Sequence, residues 1–164
     1  MSIKNVLFIC YANTCRSPAA EYIAKGLKQT KYKERLKNIN FDSAGWHDAF
    51  DHAQPETQHY IEKKGVRFSD FRPKIISREL IEKQDLIIGM ERYHLIKLKR
   101  RFRELKPHLE GKLFTLKEFN GDMESPNIPD PYKTGSENYR KILQIIEENV
   151  EILVKKIIEK NGTK

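Results

Sequence analysis

The spacing of Cys10, Arg16 and Ser17 is the one expected of a cysteine nucleophile that faces a bound anion. The segment 9–18 is ICYANTCRSP, so five residues separate the cysteine from the arginine. A loop this short can turn several backbone N–H groups inward around an anion, and a helix that follows adds its positive end. The arginine can donate to two phosphate oxygens at once. Because these groups also favour a thiolate, the pattern predicts a cysteine nucleophile beside a bound phosphate.

The elements that would position this loop follow from short apolar runs that alternate with helical patterns. We expect strands at residues 6–9, 38–41, 86–88 and 112–114, and helices at 19–28, 55–64, 78–84, 91–102 and 136–160. Pro18 would open the first helix and Gly65 would end the second. This order predicts one α/β domain over residues 1–164, with a doubly wound parallel sheet and helices on both faces. Ligands bind such sheets beyond the carboxyl ends of the strands, where Cys10 lies.

Four motifs in this chain resemble the low-molecular-weight protein tyrosine phosphatase family. The family's loop is C-x-G-N-x-C-R-S-P, and residues 10–18 are CYANTCRSP. DSAG at 42–45, DLIIGME at 85–91 and IPDPY at 128–132 follow in family order, and the last two are more similar to the bacterial branch. The resemblance covers nearly the whole chain. It implies hydrolysis of phosphotyrosine through a phosphocysteine, with phosphate held by Arg16 and by the backbone of residues 11–16.

Asp130 of the IPDPY motif is the general acid that the resemblance implies. It would protonate the leaving oxygen and then activate the water that hydrolyses the phosphocysteine. By residue type alone, Asp130 could equally be a turn residue, and Asp122 and Glu124 in the same loop are alternatives. Ala12 departs from the family's glycine, and it would be strained if that position required a positive φ.

The resemblance also assigns supporting roles around the loop. Asn13 would be tied to Ser17 and Ser43, and Ser17 would donate to the sulfur of the nucleophile. Cys15 would form a disulfide with Cys10 under oxidation. Aromatic walls at the mouth would select an extended aryl phosphate, although Trp46 is equally compatible with an ordinary half-buried position. The expected substrate-binding residues are Tyr11, Ala12, Asn13, Thr14, Cys15, Ser17, Trp46 and Tyr132.

Three other functions are compatible with parts of this pattern. Members of the family that act on phosphoarginine carry a threonine where Thr14 lies, and LFTLKE at 113–118 resembles that subgroup. An arsenate reductase would need a further cysteine pair, and Cys15 is the last cysteine. A phosphate-binding module without catalysis would not need Cys10, Arg16 and Asp130 together.

Composition narrows the choice of partners. The net charge is +8, and much of it lies in residues 92–106. There we expect a helix whose solvated face carries the basic residues, His94 among them, and whose buried side is formed by Tyr93, Leu95, Ile96, Leu98, Phe102 and Leu105. No nucleic-acid motif accompanies this run, no stretch is long enough to span a membrane, and the two cysteines and five histidines lack metal-ligand spacing. We expect a cytoplasmic protein without metal or cofactor. Its expected partners are a phosphorylated protein and inorganic phosphate or a similar oxyanion, with no nucleic acid or membrane.

Overall fold

The computed structural model describes residues 2–162 and contains a four-stranded parallel sheet over them. Its strands are β1 (Asn5–Cys10), β2 (Asn40–Gly45), β3 (Leu86–Gly89) and β4 (Leu113–Thr115), in the spatial order β2-β1-β3-β4. The helices are α1 (Arg16–Gln29), α2 (Lys33–Leu36), α3 (Pro55–Lys63), α4 (Arg78–Glu82), α5 (Arg92–Arg101), α6 (Lys106–Leu109), α7 (Leu116–Phe119) and α8 (Ser136–Gly162), with a 3-10 turn at Arg103–Leu105 before α6. The predicted parallel α/β domain is confirmed.

Side chains of β1 alternate between two hydrophobic layers, as a strand buried on both faces requires. Val6 and Phe8 belong to the layer that includes buried residues of α1 and α8. Leu7 and Ile9 belong to the opposite layer, with buried residues of α4 and α5. Helices therefore cover both faces of the sheet, and the carboxyl end of β1 is the edge at which a ligand is expected.

The basic segment on α5 partly contradicts the predicted burial pattern. Leu95 and Leu98 are buried as expected, but Tyr93 and Ile96 are 61% and 47% exposed. His94, grouped with the solvated cations in the sequence, is 2% exposed. The inner face of a helix follows the i, i+1, i+4 positions, which here are 94, 95 and 98. Apolar character alone did not identify that face.

The long helix α8 packs against α1 and α3, the two helices next to the site. Its buried side includes Ile142, Ile146, Val150 and Leu153, the face that its period of 3.6 residues predicts. Of these two helices, α3 ends before Gly65, which takes a φ of +77° as expected for a helix terminator. None of the helices within residues 2–162 is long and apolar enough to cross a membrane.

Candidate active site

The loop between β1 and α1 is held from outside through its carbonyl groups. The backbone N–H groups of Trp46 and His47 donate to the carbonyl oxygen of Tyr11 at 2.7 and 2.9 Å. The backbone N–H of Gln54 donates to the Thr14 carbonyl oxygen at 2.8 Å. Carbonyl groups that bind outward are what allows the N–H groups of a tight loop to face inward.

The helix after the loop begins at Arg16, three residues before the expected start at residue 19. Pro18 therefore lies in the first turn of α1 rather than opening it, a position where its missing N–H costs no intrahelical bond. As a result, the orphan N–H groups at the start of α1 belong to residues adjoining the loop. An anion bound in the loop would meet both these groups and the positive end of the helix dipole.

Asn13, and not Ala12, takes the left-handed conformation in this loop. Among the described non-glycine residues, positive φ occurs at Asn13 (58°) and Lys133 (58°), so Ala12 has no positive φ and is not strained. Gly45 at the end of β2 lies directly under the loop. A Cβ at Gly45 would be 2.6 Å from the Asn13 nitrogen and 2.7 Å from the Ala12 carbonyl carbon. The glycine thus permits close packing of the loop backbone.

A buried hydrogen-bond network fixes the loop around the cysteine sulfur. Asn13 Nδ2 donates to Ser17 Oγ at 2.9 Å and to Ser43 Oγ at 2.8 Å. Ser17 Oγ in turn lies 2.9 Å from Cys10 Sγ. The structure therefore brings together the residues Asn13, Ser17 and Ser43 in the arrangement that the resemblance implied.

Arg16 is a buried guanidinium with one edge anchored and one edge free. Its Nη1 donates to the carboxylate of Glu91 and, at 2.6 Å, to the Ile128 carbonyl oxygen. Its Nη2 lies 3.9 Å from Asp130 Oδ2, and its buried Nε has no hydrogen-bond partner within residues 2–162. The edge formed by Nε and Nη2 is the one that suits bidentate binding of a tetrahedral oxyanion.

A narrow pocket of about 90 Å³ opens above the cysteine. Asp130 is the carboxylate among the described residues that line it, whereas Asp122 and Glu124 do not. Its side chain is 44% exposed, and its Oδ1 accepts the backbone N–H of Tyr132 at 3.1 Å. The lining residues are Cys10, Tyr11, Ala12, Thr14, Cys15, Arg16, Ala49, Phe50, Asp130 and Tyr132.

The aromatic walls differ from the predicted set in one member. Tyr11 and Tyr132 line the pocket, and Phe50 packs edge-on against Tyr132 with ring centroids 5.8 Å apart. Trp46 does not line it: the indole stacks on Phe102 at 6.4 Å and belongs to the layer around α5. The Trp46 ring is stabilised by packing on the apolar surface of that layer, and Phe50 is the additional aromatic residue at the mouth of the pocket. Phe50 lies in an irregular segment, so no periodicity singled it out.

The second cysteine lines the same pocket and lies close to Tyr139 of α8. Cys15 is 6% exposed, and burial raises the pKa of its thiol to about 11. Its carbonyl oxygen accepts the Thr57 hydroxyl at 3.1 Å, and Thr57 Oγ1 lies 2.6 Å from the Tyr139 hydroxyl. Both cysteines are free thiols in the part of the chain described. The disulfide between Cys10 and Cys15 stays a prediction.

His94 is a buried imidazole close to Arg16. Burial and the positive charge of Arg16 lower the pKa of His94 to about 4. Its Nδ1 is buried and has no hydrogen-bond partner within residues 2–162. The described residues also contain no group of three or more His, Cys, Asp or Glu side chains that could hold a metal ion.

Comparison with known proteins agrees with this geometry. The family model described as low molecular weight phosphotyrosine protein phosphatase matches residues 5–163. This chain belongs to that family. The family is one of cysteine-dependent hydrolases. In this chain, Cys10 lies at the loop after β1, in the site described above.

Curated relatives and solved structures cover nearly the whole chain. A low molecular weight protein-tyrosine-phosphatase of Acinetobacter johnsonii is 31% identical over 134 residues, which are 81% of this chain and 83% of the relative. The crystal structure of YfkJ from Bacillus subtilis has a TM-score of 0.85 at 26% identity and covers 99% of both chains. The YwlE arginine phosphatase from Geobacillus stearothermophilus has a TM-score of 0.81 at 26% identity, over 96% of this chain and 94% of that one.

Proposed function

We propose that this member of the family hydrolyses phosphotyrosine in proteins through a phosphocysteine at Cys10. The supporting observation is one narrow pocket lined by the Cys10 thiol, the free edge of Arg16 and the Asp130 carboxyl group. A nucleophile, an oxyanion clamp and a proton donor are the three groups that this reaction needs. The free thiols at Cys10 and Cys15 suit a reducing compartment, and we place the protein in the cytoplasm.

In the first step, the Cys10 thiolate attacks phosphorus in line with the leaving oxygen. A sulfur–phosphorus bond forms as the phosphorus–oxygen bond to tyrosine breaks, and Asp130 gives its proton to the departing phenolate. The Nε and Nη2 groups of Arg16, with the N–H groups of residues 11–16, hold the three equatorial oxygens. Such fixed donors stabilise charge in the transition state without having to reorganise.

In the second step, a water molecule hydrolyses the phosphocysteine. Asp130, now a carboxylate, takes a proton from this water, and the sulfur–phosphorus bond breaks as the new oxygen–phosphorus bond forms. The Ser17 hydroxyl, 2.9 Å from the sulfur, donates to the thiolate that leaves. Inorganic phosphate is released, and Asp130 is protonated for the next cycle.

Selectivity for tyrosine would come from the depth and walls of the pocket. Tyr11, Phe50 and Tyr132 surround the entrance, and Cys10 Sγ lies at its floor. A phenyl ring is long enough to carry its phosphate from the entrance to the Cys10 sulfur, and it packs against the aromatic side chains on the way. The shorter stem of phosphoserine does not reach the sulfur.

Phosphoarginine is the second candidate substrate, and Thr14 is the observation that favours it. Thr14 is 3% exposed and lines the pocket, where its hydroxyl could contact a guanidinium. YwlE, a solved structure with this fold, is named an arginine phosphatase. Thiol-dependent arsenate reduction is a poorer candidate, because the chain has two cysteines and both lie in the phosphate loop.

Phosphate release from three peptides of one sequence, carrying phosphotyrosine, phosphoarginine or phosphoserine, tests the proposal. With EDTA present throughout, we expect fast release from phosphotyrosine that is lost in Cys10→Ser. Thr14→Ile should leave this activity in place while removing any release from phosphoarginine. Preferential release from phosphoarginine would establish the second candidate. Release that persists in Cys10→Ser would contradict both.

A further inference from the structure

A buried carboxylate outside the pocket ends the hydrogen-bond network that begins at the cysteine. Glu21 lies on α1, a little more than one turn beyond Arg16, and is 4% exposed. Its Oε1 accepts the Ser43 hydroxyl at 2.5 Å. Its Oε2 accepts the ammonium group of Lys25 at 2.5 Å. Glu21 therefore connects a partly exposed cation to the interior of the phosphate loop.

The direction of every hydrogen bond in this network can be deduced. The backbone N–H of Lys74 donates to Asn13 Oδ1 at 3.0 Å, which fixes the orientation of the amide. The two hydrogens on Asn13 Nδ2 then go to Ser17 and Ser43. Each serine oxygen already accepts a hydrogen, so each hydroxyl hydrogen is free to be donated elsewhere.

The two hydroxyl hydrogens are donated at opposite ends of the network, one to an oxygen and one to a sulfur. Ser43 donates to the Glu21 carboxylate, and Ser17 is left to donate to Cys10 Sγ, 2.9 Å away. The amide of Asn13 lies between them and donates in both directions. Hydrogen bonds to ionised groups are stronger than those between neutral groups, and chains of them polarise one another.

We infer that Glu21 is a positioning residue for the nucleophile: through Ser43 and Asn13 it holds the Ser17 hydroxyl as a donor to the Cys10 sulfur. This inference rests on the proposed role of Cys10. Without the carboxylate, the Ser43 hydroxyl has no acceptor and can rotate, and the Asn13 amide loses a fixed partner. The Ser17 donor is then less well ordered, both when the thiolate attacks and when it leaves.

Lys25 keeps this carboxylate compatible with burial. Burial raises the pKa of Glu21 above its ordinary value, while Lys25 and the Ser43 hydroxyl oppose that rise and Asp42 adds to it. A buried carboxylate without a cation would favour the neutral acid, which could donate to Ser43 instead of accepting from it. The pair on one turn of α1 thus preserves the direction of the network.

The test compares Glu21→Gln with Glu147→Gln. Glu147 is also a hydrogen-bonded glutamate on a helix, paired with Tyr60 and Lys64, but it has no contact with the phosphate loop among the interactions described. Two quantities are measured in each variant: kcat and KM for a phosphotyrosine peptide, and the rate of Cys10 alkylation by iodoacetate as a function of pH. The alkylation profile reports the ionisation of the thiol directly.

We expect Glu21→Gln to lower kcat about fivefold with little change in KM, the effect of weakening one hydrogen bond in a network. The midpoint of the alkylation profile should move up by about half a pH unit. The sign is diagnostic, because removing a negative charge acts through space in the opposite sense and would move the midpoint down. Glu147→Gln should change neither quantity.

Lys25→Met supplies a rescue that a purely structural role for Glu21 does not predict. In Glu21→Gln, Lys25 competes with Ser43 for the single amide oxygen. In the double variant Glu21→Gln/Lys25→Met, that oxygen is free to accept from Ser43, so kcat should recover toward the wild-type value. Melting temperatures identify any variant that is simply destabilised.

Three results would overturn the inference: a midpoint that moves down or stays unchanged, a kcat equal to that of Glu147→Gln, or a double variant no better than Glu21→Gln. Failure of the proposed function would look different. In that case the wild-type protein itself would be inactive, or its activity would persist in Cys10→Ser. An active wild type with an indifferent Glu21→Gln would contradict the role of Glu21 alone.

Discussion

Two segments face the same pocket but are held in different ways: a first loop at residues 10–17, which includes the end of β1 and the start of α1, and a second loop at residues 120–135. In the first, Asn13 and Ser17 are fully buried and are bound by side chains and backbone from other elements. In the second, the side chain of Asp130 is 44% exposed and its hydrogen bond goes to Tyr132, two residues away. Ile128, 1% exposed, is the buried residue of this loop that contacts Arg16.

This difference separates two tasks of the proposed reaction. Charge that develops on phosphoryl oxygens is best met by donors that are already in place, which favours a rigid, buried loop. A group that exchanges protons with a leaving phenolate and then with water must remain accessible to both. Changes in the first loop should therefore damage binding and chemistry together, whereas a change confined to the Asp130 carboxyl group should damage proton transfer alone.

Arg16→Lys should give the largest effect. A lysine ammonium cannot bind two phosphate oxygens while also holding Glu91 and Ile128, so kcat/KM should fall about a thousandfold and inhibition by inorganic phosphate should weaken. Steady-state kinetics with and without phosphate measure both effects. Arg92→Lys, at an exposed arginine that pairs with Glu118, is the matched control. Equal losses in the two variants would remove the assigned role of Arg16.

Asp130→Asn should lower kcat about a hundredfold for a phosphotyrosine peptide. Inhibition by inorganic phosphate should stay unchanged, because Arg16 and the loop backbone are intact. Asp122→Asn is the control within the same loop, and it should have little effect. If Asp122→Asn proved the slower variant, the proton-donor role would move to Asp122.

Gly45→Ala tests how tightly the first loop must pack. The new methyl group would meet the backbone of Ala12 and Asn13, which cannot move without distorting the loop, so kcat/KM should fall at least about tenfold. Gly26→Ala is the control: its Cβ would meet the side chain of Val66, which can shift. Both variants are compared by kinetics and by melting temperature. A Gly45→Ala enzyme as active as Gly26→Ala would show that the loop tolerates displacement.

The buried His94 should contribute a pH-dependent loss of stability. Its pKa is about 4 in the folded protein against 6.5 ordinarily, so between these values the unfolded chain binds more protons. The free energy of unfolding should therefore fall as pH decreases, by about 2 kcal/mol from this group between about pH 7 and pH 5. Denaturant unfolding at both pH values, with His94→Gln as the comparison, measures it. An equal decrease in both proteins would contradict the assignment.

The sequence predicted the first loop in more detail than the aromatic wall of the pocket. Spacing alone placed Cys10 and Arg16 together, because a strand, a short loop and a helix leave few arrangements. Spacing did not predict that the Trp46 ring packs in the layer around α5. Nor did it predict that Phe50, which lies in an irregular segment, lines the pocket. Glu21 lay within a predicted helix, but its contact with Ser43 depends on the packing of α1 against β2. Such contacts arise from tertiary structure and leave no local pattern.

Direct detection of the phosphocysteine tests the central claim. Asp130→Asn is mixed with p-nitrophenyl phosphate, whose good leaving group needs little help from an acid, and the reaction is quenched and analysed by peptide mass spectrometry. Because the second step still needs the Asp130 base, a phosphoryl group should accumulate on Cys10, and no adduct should form in Cys10→Ala, which has no nucleophile at that position. A steady turnover without any adduct at Cys10, or an adduct on another residue, would contradict the account.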